Sequence, residues 1–262
     1  MGRTLLSARF DRGAGDSPAP FCCGNHTFSE IVTLKQKILL SWSSGKDSAW
    51  TLHVLRQRGE VEVVGLLTTI NTHFQRVAMH GTRQALLKAQ AGAARLPLWE
   101  VPLPWPCSNE VYEQAMAAAC ALAVEKGISA IAFGDLFLKD VRRYREDRLS
   151  GTGLEPMFPL WKRDTRELIS EMLEGGLRAR IVCVDPAKLP ADFVGRDLDL
   201  DLVRRMPAGV DPCAENGEFH TFAYAGPMFD QPIAITDGEI VTRDGFLYAD
   251  VLPSSEAAAS LA

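Results

Sequence analysis

The 262-residue chain contains no Cys-x-x-Cys pair and no His at zinc-finger spacing, although six cysteines are present. Cys22, Cys23, Cys107, Cys120, Cys183 and Cys213 therefore read as reduced thiols, not as a metal knuckle or a disulfide framework. No apolar run is long enough for a membrane span or a secretory signal. Residues 1–36 are instead rich in Gly, Ser, Pro and Arg and read as a disordered N-terminal extension. Gly2 follows Met1, but Leu6 stands where a myristoylation motif requires Ser or Thr. Arg3, Arg9 and Arg12 suit an organelle transit peptide, whereas Asp11, Asp16 and the Cys22-Cys23 pair do not. Together these absences indicate a cytoplasmic protein. Excess positive charge is missing too, since the formal net charge is -5, and this argues against a broad electrostatic grip on nucleic acid. What remains is ordinary globular composition, 47% hydrophobic and 23% charged, sufficient to bury a core.

The ordered chain is expected to begin at Lys37, where KILLSW forms a short apolar run suited to a buried strand. A helix follows from about Asp47, with Trp50, Val54 and Leu55 at helical spacing and Gly59 at its stop. The alternation continues with a strand at 61–69, a helix from His80 to Ala94, a strand at 96–101, a helix from Ser108 to Lys126 and a strand at 129–135. This order predicts α/β architecture with right-handed crossovers and a parallel sheet covered on both faces. A first lobe over 37–135 then gives way to a second over 136–252. In that second lobe, Lys139 to Leu149 reads as a charged helix, and Asp164 with Glu167 has capping-box spacing for a helix through Leu173. A strand is expected at 179–185. Two hairpin turns are expected at Asp237-Gly238 and Asp244-Gly245, and residues 253–262 read as a disordered tail.

Ser43-Ser44-Gly45-Lys46-Asp47-Ser48 lies between a buried strand and a helix start, where backbone N–H groups and the helix dipole favour an anion. Gly45 permits close approach, the serines add compact donors and Lys46 adds positive charge. Asp47 would repel a lone phosphate, so it suggests a bridging Mg²⁺. A Walker A loop is ruled out, because Leu40 and Asp47 occupy the places of its first Gly and its Ser or Thr. The same hexapeptide also suits a plain polar turn that caps a helix with Asp47. Its position after the first strand of an α/β sheet, the usual ligand-facing edge, favours phosphate.

Ser43 to Ser48 resembles the PP-loop of the N-type ATP pyrophosphatases, usually S-G-G-x-D-S, with Ser44 in place of the first Gly. DPCAENGEFHTF at 211–222 resembles the E-x-G-E-[FY]-H-T signature of the diphthine–ammonia ligase family, with Ala214 where that family commonly has Gly. GDLFLKDVRRYREDRL at 134–149 and PMFPLWKRDTRELI at 156–169 are similar to the stretches linking the two motifs there. The resemblance implies a parallel doubly wound (HUP-like) sheet with a smaller C-terminal α+β lobe. It also implies ATP and Mg²⁺ as cofactors, adenylation of a carboxylate with release of AMP and pyrophosphate, and attack by ammonia. Ser43 to Ser48, Gly134 and Asp135 would then hold ATP, with Asp47 at the metal. Glu215, Glu218 and His220 would serve the acceptor, where ammonium must lose a proton. The acceptor would be a protein side chain or a small molecule.

His80 reads first as a helix-start residue, while Asn71 and Arg76 are candidates for contacting substrate or phosphate. Arg142, Arg143, Arg145 and Arg148 suit an acidic or RNA partner, but Asp140, Glu146 and Asp147 offset them and favour a solvated helix face. Two competing functions share the fold. One is tRNA thiolation through Cys107, Cys183 or Cys213, and the other is ATP sensing without turnover.

Overall fold

The computed structural model describes residues 35–77 and 81–254. His80, most of the 1–36 extension and most of the 253–262 tail lie outside them. The first strand, β1 (Gln36–Ser41), starts one residue earlier than expected and is followed by α1 (Lys46–Arg58). Gly59 closes that helix in the left-handed conformation, at φ 63°, and donates to Leu55 O at 3.1 Å. Next come β2 (Val61–Asn71), the two-residue β3 (Arg76–Val77), α2 (Gln84–Ala93) and β4 (Leu98–Leu103). They are followed by α3 (Asn109–Glu125), β5 (Ala130–Ala132), α4 (Lys139–Leu149) and β6 (Glu155–Met157).

β1 pairs in parallel with β2 on one side and β5 on the other. The parallel sheet extends outward through β4 beside β2 and β6 beside β5, and β3 adds a short antiparallel pairing at the end of β2. β6 lies beyond residue 135, so the first sheet recruits a strand from a stretch expected to be turn-rich. Side chains of β1 alternate between two cores, as a strand buried on both faces requires. Ile38 and Leu40 join α1, α2 and α5 (Thr165–Glu174), while Leu39 joins Cys120 and Ala123 of α3. Asp164 caps α5 by accepting from the Arg166 and Glu167 N–H groups at 2.9 and 3.1 Å, as its spacing predicts.

The second sheet is antiparallel. It contains β7 (Arg178–Val184), β8 (Phe219–Ala225), β9 (Ile235–Arg243) and β10 (Phe246–Pro253), in the order β8-β7-β10-β9, and the short α6 (Leu200–Arg204) lies between β7 and β8 in the chain. One core cluster runs from Ile38 to Val251 and so draws on both sheets.

Of the differences from the sequence reading, two have identifiable reasons. α2 begins at Gln84, not His80, because Arg83 is held extended in a bridge to Arg76 and the Thr82 hydroxyl is used elsewhere. Asp237-Gly238 is not a turn, since β9 passes straight through it. A β-carbon on Gly238 would meet Asp250 Cβ and O at 3.0 Å, so this glycine serves close strand approach at an irregular register. Asp244-Gly245 is the hairpin turn, with φ 51° and 85°, as a two-residue primed turn demands.

Candidate functional site

β1 delivers the chain to a tightly bonded corner at the carboxyl end of the parallel sheet. Trp42 is buried and donates from Nε1 to Gln90 Oε1 at 2.9 Å. Ser44 is buried with φ 70°, a left-handed conformation that Gly accepts more readily than Ser. Three contacts hold it there. Its hydroxyl meets Thr82 Oγ1 at 2.7 Å, and its carbonyl accepts from Gln90 Nε2 at 3.0 Å and from the Ala223 N–H at 2.9 Å. Gln90 Nε2 also donates to Ala223 O at 2.6 Å, so one buried amide ties the loop, α2 and β8 together.

The remaining loop residues face the 211–221 segment and the end of β5. Gly45 is extended at φ -83°, and its missing β-carbon matters because one would lie 3.2 Å from Thr221 O. The Lys46 N–H donates to Thr221 Oγ1 at 3.1 Å. Ser43 Oγ lies 3.2 Å from Ser48 Oγ, and Ser48 Oγ donates to Gly45 O at 3.0 Å. Gly134 seats β5 against the first turn of α1, since a β-carbon on it would fall 3.1 Å from the Asp47 carbonyl carbon. Asp135 follows, pushed up by burial while Arg145, 3.5 Å away, opposes the shift.

The buried Lys46 ammonium points into the molecule, where it pairs with Asp47 at 2.9 Å and donates to Cys213 O. Burial pulls its proton affinity down, but Asp47, then Cys213 and Glu215, hold it above the ordinary lysine value. It therefore clamps the 211–221 segment onto the loop. Burial raises the Asp47 carboxyl against the pull of Lys46, and Asp47 Oδ1 has no hydrogen-bond partner.

The acceptor-side candidates occupy different environments. Glu215 Oε1 accepts from the Leu136 N–H at 2.7 Å, which brings this carboxylate to the end of β5 beside Gly134 and Asp135. Burial raises it; the Leu136 N–H opposes, and the nearby Asp47 carboxylate adds to the rise. Glu218 is buried and faces its own turn, with Oε1 accepting from the Asp211 N–H and Asn216 Nδ2, both at 3.1 Å. His220, on β8 opposite Cys183 of β7, is pushed down to about 4 by burial and then by Lys46. Gly217 adopts φ 76°, as the tight turn requires, and Ala214 takes φ 58°, a conformation suited to Gly.

Sequence reasoning missed Gln90, Thr82, Thr221 and Asp211. Gln90 had a signal, because a polar residue follows Leu86 and Leu87 at helical spacing on the buried face. Thr221 stood inside the 211–222 motif. Asn71 Oδ1 accepts from the His73 and Phe74 N–H groups, both at 3.1 Å, and Arg76 pairs with Asp250 at 3.0 Å.

The arginines of α4 are engaged within the chain. Arg142 bonds Glu146 at 2.7 Å and stacks over Phe158 and Trp161, Arg145 faces Asp135 and Phe133, and Arg148 pairs with Glu113. Burial raises the thiols of Cys120 and Cys213, and it pushes Cys183 up to about 11, which disfavours the nucleophilic thiolate. Among the described residues, no three His, Cys, Asp or Glu side chains are grouped to hold a metal, and no helix is long and apolar enough to cross a membrane.

A parallel α/β sheet with a strand–loop–helix corner at its carboxyl edge defines an α/β chain of the open-sheet class, in which small molecules generally meet strand ends. Sequence comparison narrows this class. Residues 164–251 match the family model described as Diphthamide synthase C-terminal domain. The chain is 28% identical over 158 residues to the diphthine–ammonia ligase of Bos taurus, covering 57% of this chain and 58% of that one. Identity to the Homo sapiens enzyme of the same name is 27% over 153 residues, covering 55% and 56%. The Danio rerio one is 32% identical over 133 residues, covering 48% and 52%. The chain thus spans less than two thirds of the length of these curated relatives. Both kinds of match point to the diphthine–ammonia ligase family, and the family model spans the 211–222 motif.

Proposed function

We propose that the chain is an ATP-dependent, AMP-forming carboxylate–ammonia ligase whose corner at Ser43 to Ser48 holds the ATP phosphates. One observation carries this reading: two motifs far apart in sequence meet at the loop, with the Lys46 N–H on Thr221 Oγ1 and the Lys46 ammonium on Cys213 O. The names of the relatives support a ligase that uses ammonia. In this reading residues 37–135 supply the nucleotide loop and residues 136–252 supply the 211–222 motif with Glu215, which serves the attacking ammonia.

An acceptor carboxylate oxygen attacks the α-phosphorus and pyrophosphate leaves, giving an acyl-adenylate. Ammonia then attacks the acyl carbon and AMP leaves. The N-terminal end of α1 favours the phosphates through its dipole, with Gly134 holding the neighbouring strand end close to it. Asp47, whose Oδ1 has no hydrogen-bond partner, is the carboxylate that would hold a Mg²⁺ arriving with the phosphates. Bound there, the ion would neutralise phosphate charge. Glu215, raised by burial, suits accepting a proton from ammonium better than His220, whose value near 4 makes it a weak base. Glu218 is assigned the shape of the turn, and Asp135 the electrostatic setting of Glu215.

Thiol transfer is not favoured, given the raised thiols at Cys183 and Cys213. Four free thiols among the described residues fit a reducing cytoplasm. The test is incubation of the purified chain with Mg²⁺-ATP, ammonium and a panel of carboxylic acids. AMP and pyrophosphate should appear only with an acceptor. Formation of ADP, or tight ATP binding with no acid ever releasing pyrophosphate, would reject the ligase.

A further inference from the structure

A chamber of about 630 Å³ is walled by the end of β2, by β3 and the residues leading into α2, by Trp105 and by the β9–β10 hairpin, and it reaches the corner through Thr82. Its volume falls within the range of small-molecule sites, about 300 to 1,000 Å³. Phe74, Trp105 and Tyr248 line it, and Trp105 is 62% exposed while in edge contact with Phe74 at 5.5 Å. Large exposed aromatics beside a cavity supply flat apolar contact to a ligand.

The inner wall carries two cations on one anion. Arg76 reaches Asp250 Oδ1 at 3.0 Å, and Arg83 reaches Asp250 Oδ2 at 2.5 Å. These contacts lower the Asp250 carboxyl despite its burial, and the trio keeps one net positive charge. Arg243, Glu239 and Asp244 stand on the exposed hairpin, where solvent screens them. Thr82 lines the chamber and bonds Ser44 of the loop at 2.7 Å, so the chamber wall and the loop are directly connected.

We propose that this chamber is the acceptor site and takes a small organic carboxylate with a flat apolar body, its charge facing Arg76 and Arg83. The assignment rests on the ligase reading for its role but not for its binding. Asp250 takes the Nε and Nη2 groups of Arg83, and Asp250 with Gly81 O takes Arg76 Nη1, so a guest carboxylate would meet the remaining N–H groups, Arg83 Nη1 and Arg76 Nε and Nη2, while the aromatic walls receive the body.

The test uses the full chain without ATP, titrated calorimetrically with phenylacetate and with phenylacetamide, which lacks the charge. Phenylacetate should bind at least tenfold more tightly, and both Arg83→Gln and Arg76→Gln should remove that preference while thermal unfolding stays cooperative. Equal binding of acid and amide, or a preference untouched in both variants, overturns the proposal. So does adenosine binding that Trp105→Ala abolishes, because the chamber would then be a nucleoside site. If phenylacetate binds as expected but no acid elicits pyrophosphate, the ligase reading fails and the chamber stands. If acceptor-dependent pyrophosphate release is indifferent to Arg83→Gln, the chamber fails and the ligase stands.

Discussion

The hydrogen bond between Ser44 and Thr82 has a buried, densely hydrogen-bonded corner on one side and an open chamber on the other. In the corner, Ser44, Lys46, Ser48 and Gln90 are buried polar residues, and each hydrogen-bonds within the protein. Beyond Thr82, the chamber presents half-exposed arginines and an exposed tryptophan with room around them. A left-handed serine persists in the corner because its surroundings over-determine it. The chamber instead leaves open volume between partly exposed side chains. A loop that must present amides in one geometry benefits from the first construction, whereas a site selecting among acids benefits from the second.

The largest effect should follow removal of the keystone amide. Gln90→Leu leaves the Trp42 N–H and the Ala223 carbonyl without this partner, at about 1 to 3 kcal/mol for each buried group. Chemical denaturation should therefore show a loss of about 3 kcal/mol, and in the ligase assay KM for ATP should rise. Wild-type stability in this variant would mean the corner is not held by the amide.

A pH series sharpens the comparison next, because His220 belongs to the corner side. Its folded value near 4 lies below the ordinary 6.5, so the unfolded chain takes up a proton first on acidification. The stability it contributes is complete above about 6.5 and is lost as pH falls through about 4, by up to about 3 kcal/mol. The raised carboxyls of Asp47, Asp135 and Glu215 act in the opposite sense, so the difference between wild type and His220→Gln isolates the histidine. Parallel stability curves across that window would show that His220 is not held neutral by burial.

The smallest effect concerns the turn that Lys46 holds. Ala214→Gly should stabilise by about 0.5 kcal/mol, because relief of the left-handed conformation outweighs added freedom in the unfolded chain. Ala214→Val should destabilise, and equal stability of all three would show no backbone strain there.

These contrasts also explain what the sequence made legible. KILLSW announced a buried strand, Gly59 and Gly127 marked helix ends, and Asp164 with Glu167 marked the start of α5, because each is a local effect of neighbouring residues. The loop and the 211–222 motif were visible as strings. Their union through Thr221 and Cys213 was not, since it depends on long-range packing. Asp237-Gly238 misled because a glycine that admits a neighbouring strand has the same letter as one that turns. The chamber was least legible, drawing its walls from Asn71 to Val251 across both sheets.

The most direct test is a crystal structure of the full chain with Mg²⁺ and α,β-methylene-ATP, which resists cleavage at the bond in question. The triphosphate is expected against Ser43 to Ser48, with Asp47 at the metal and the chamber left for the acceptor. An analogue lodged in the chamber, with no phosphate at the corner, would contradict the account.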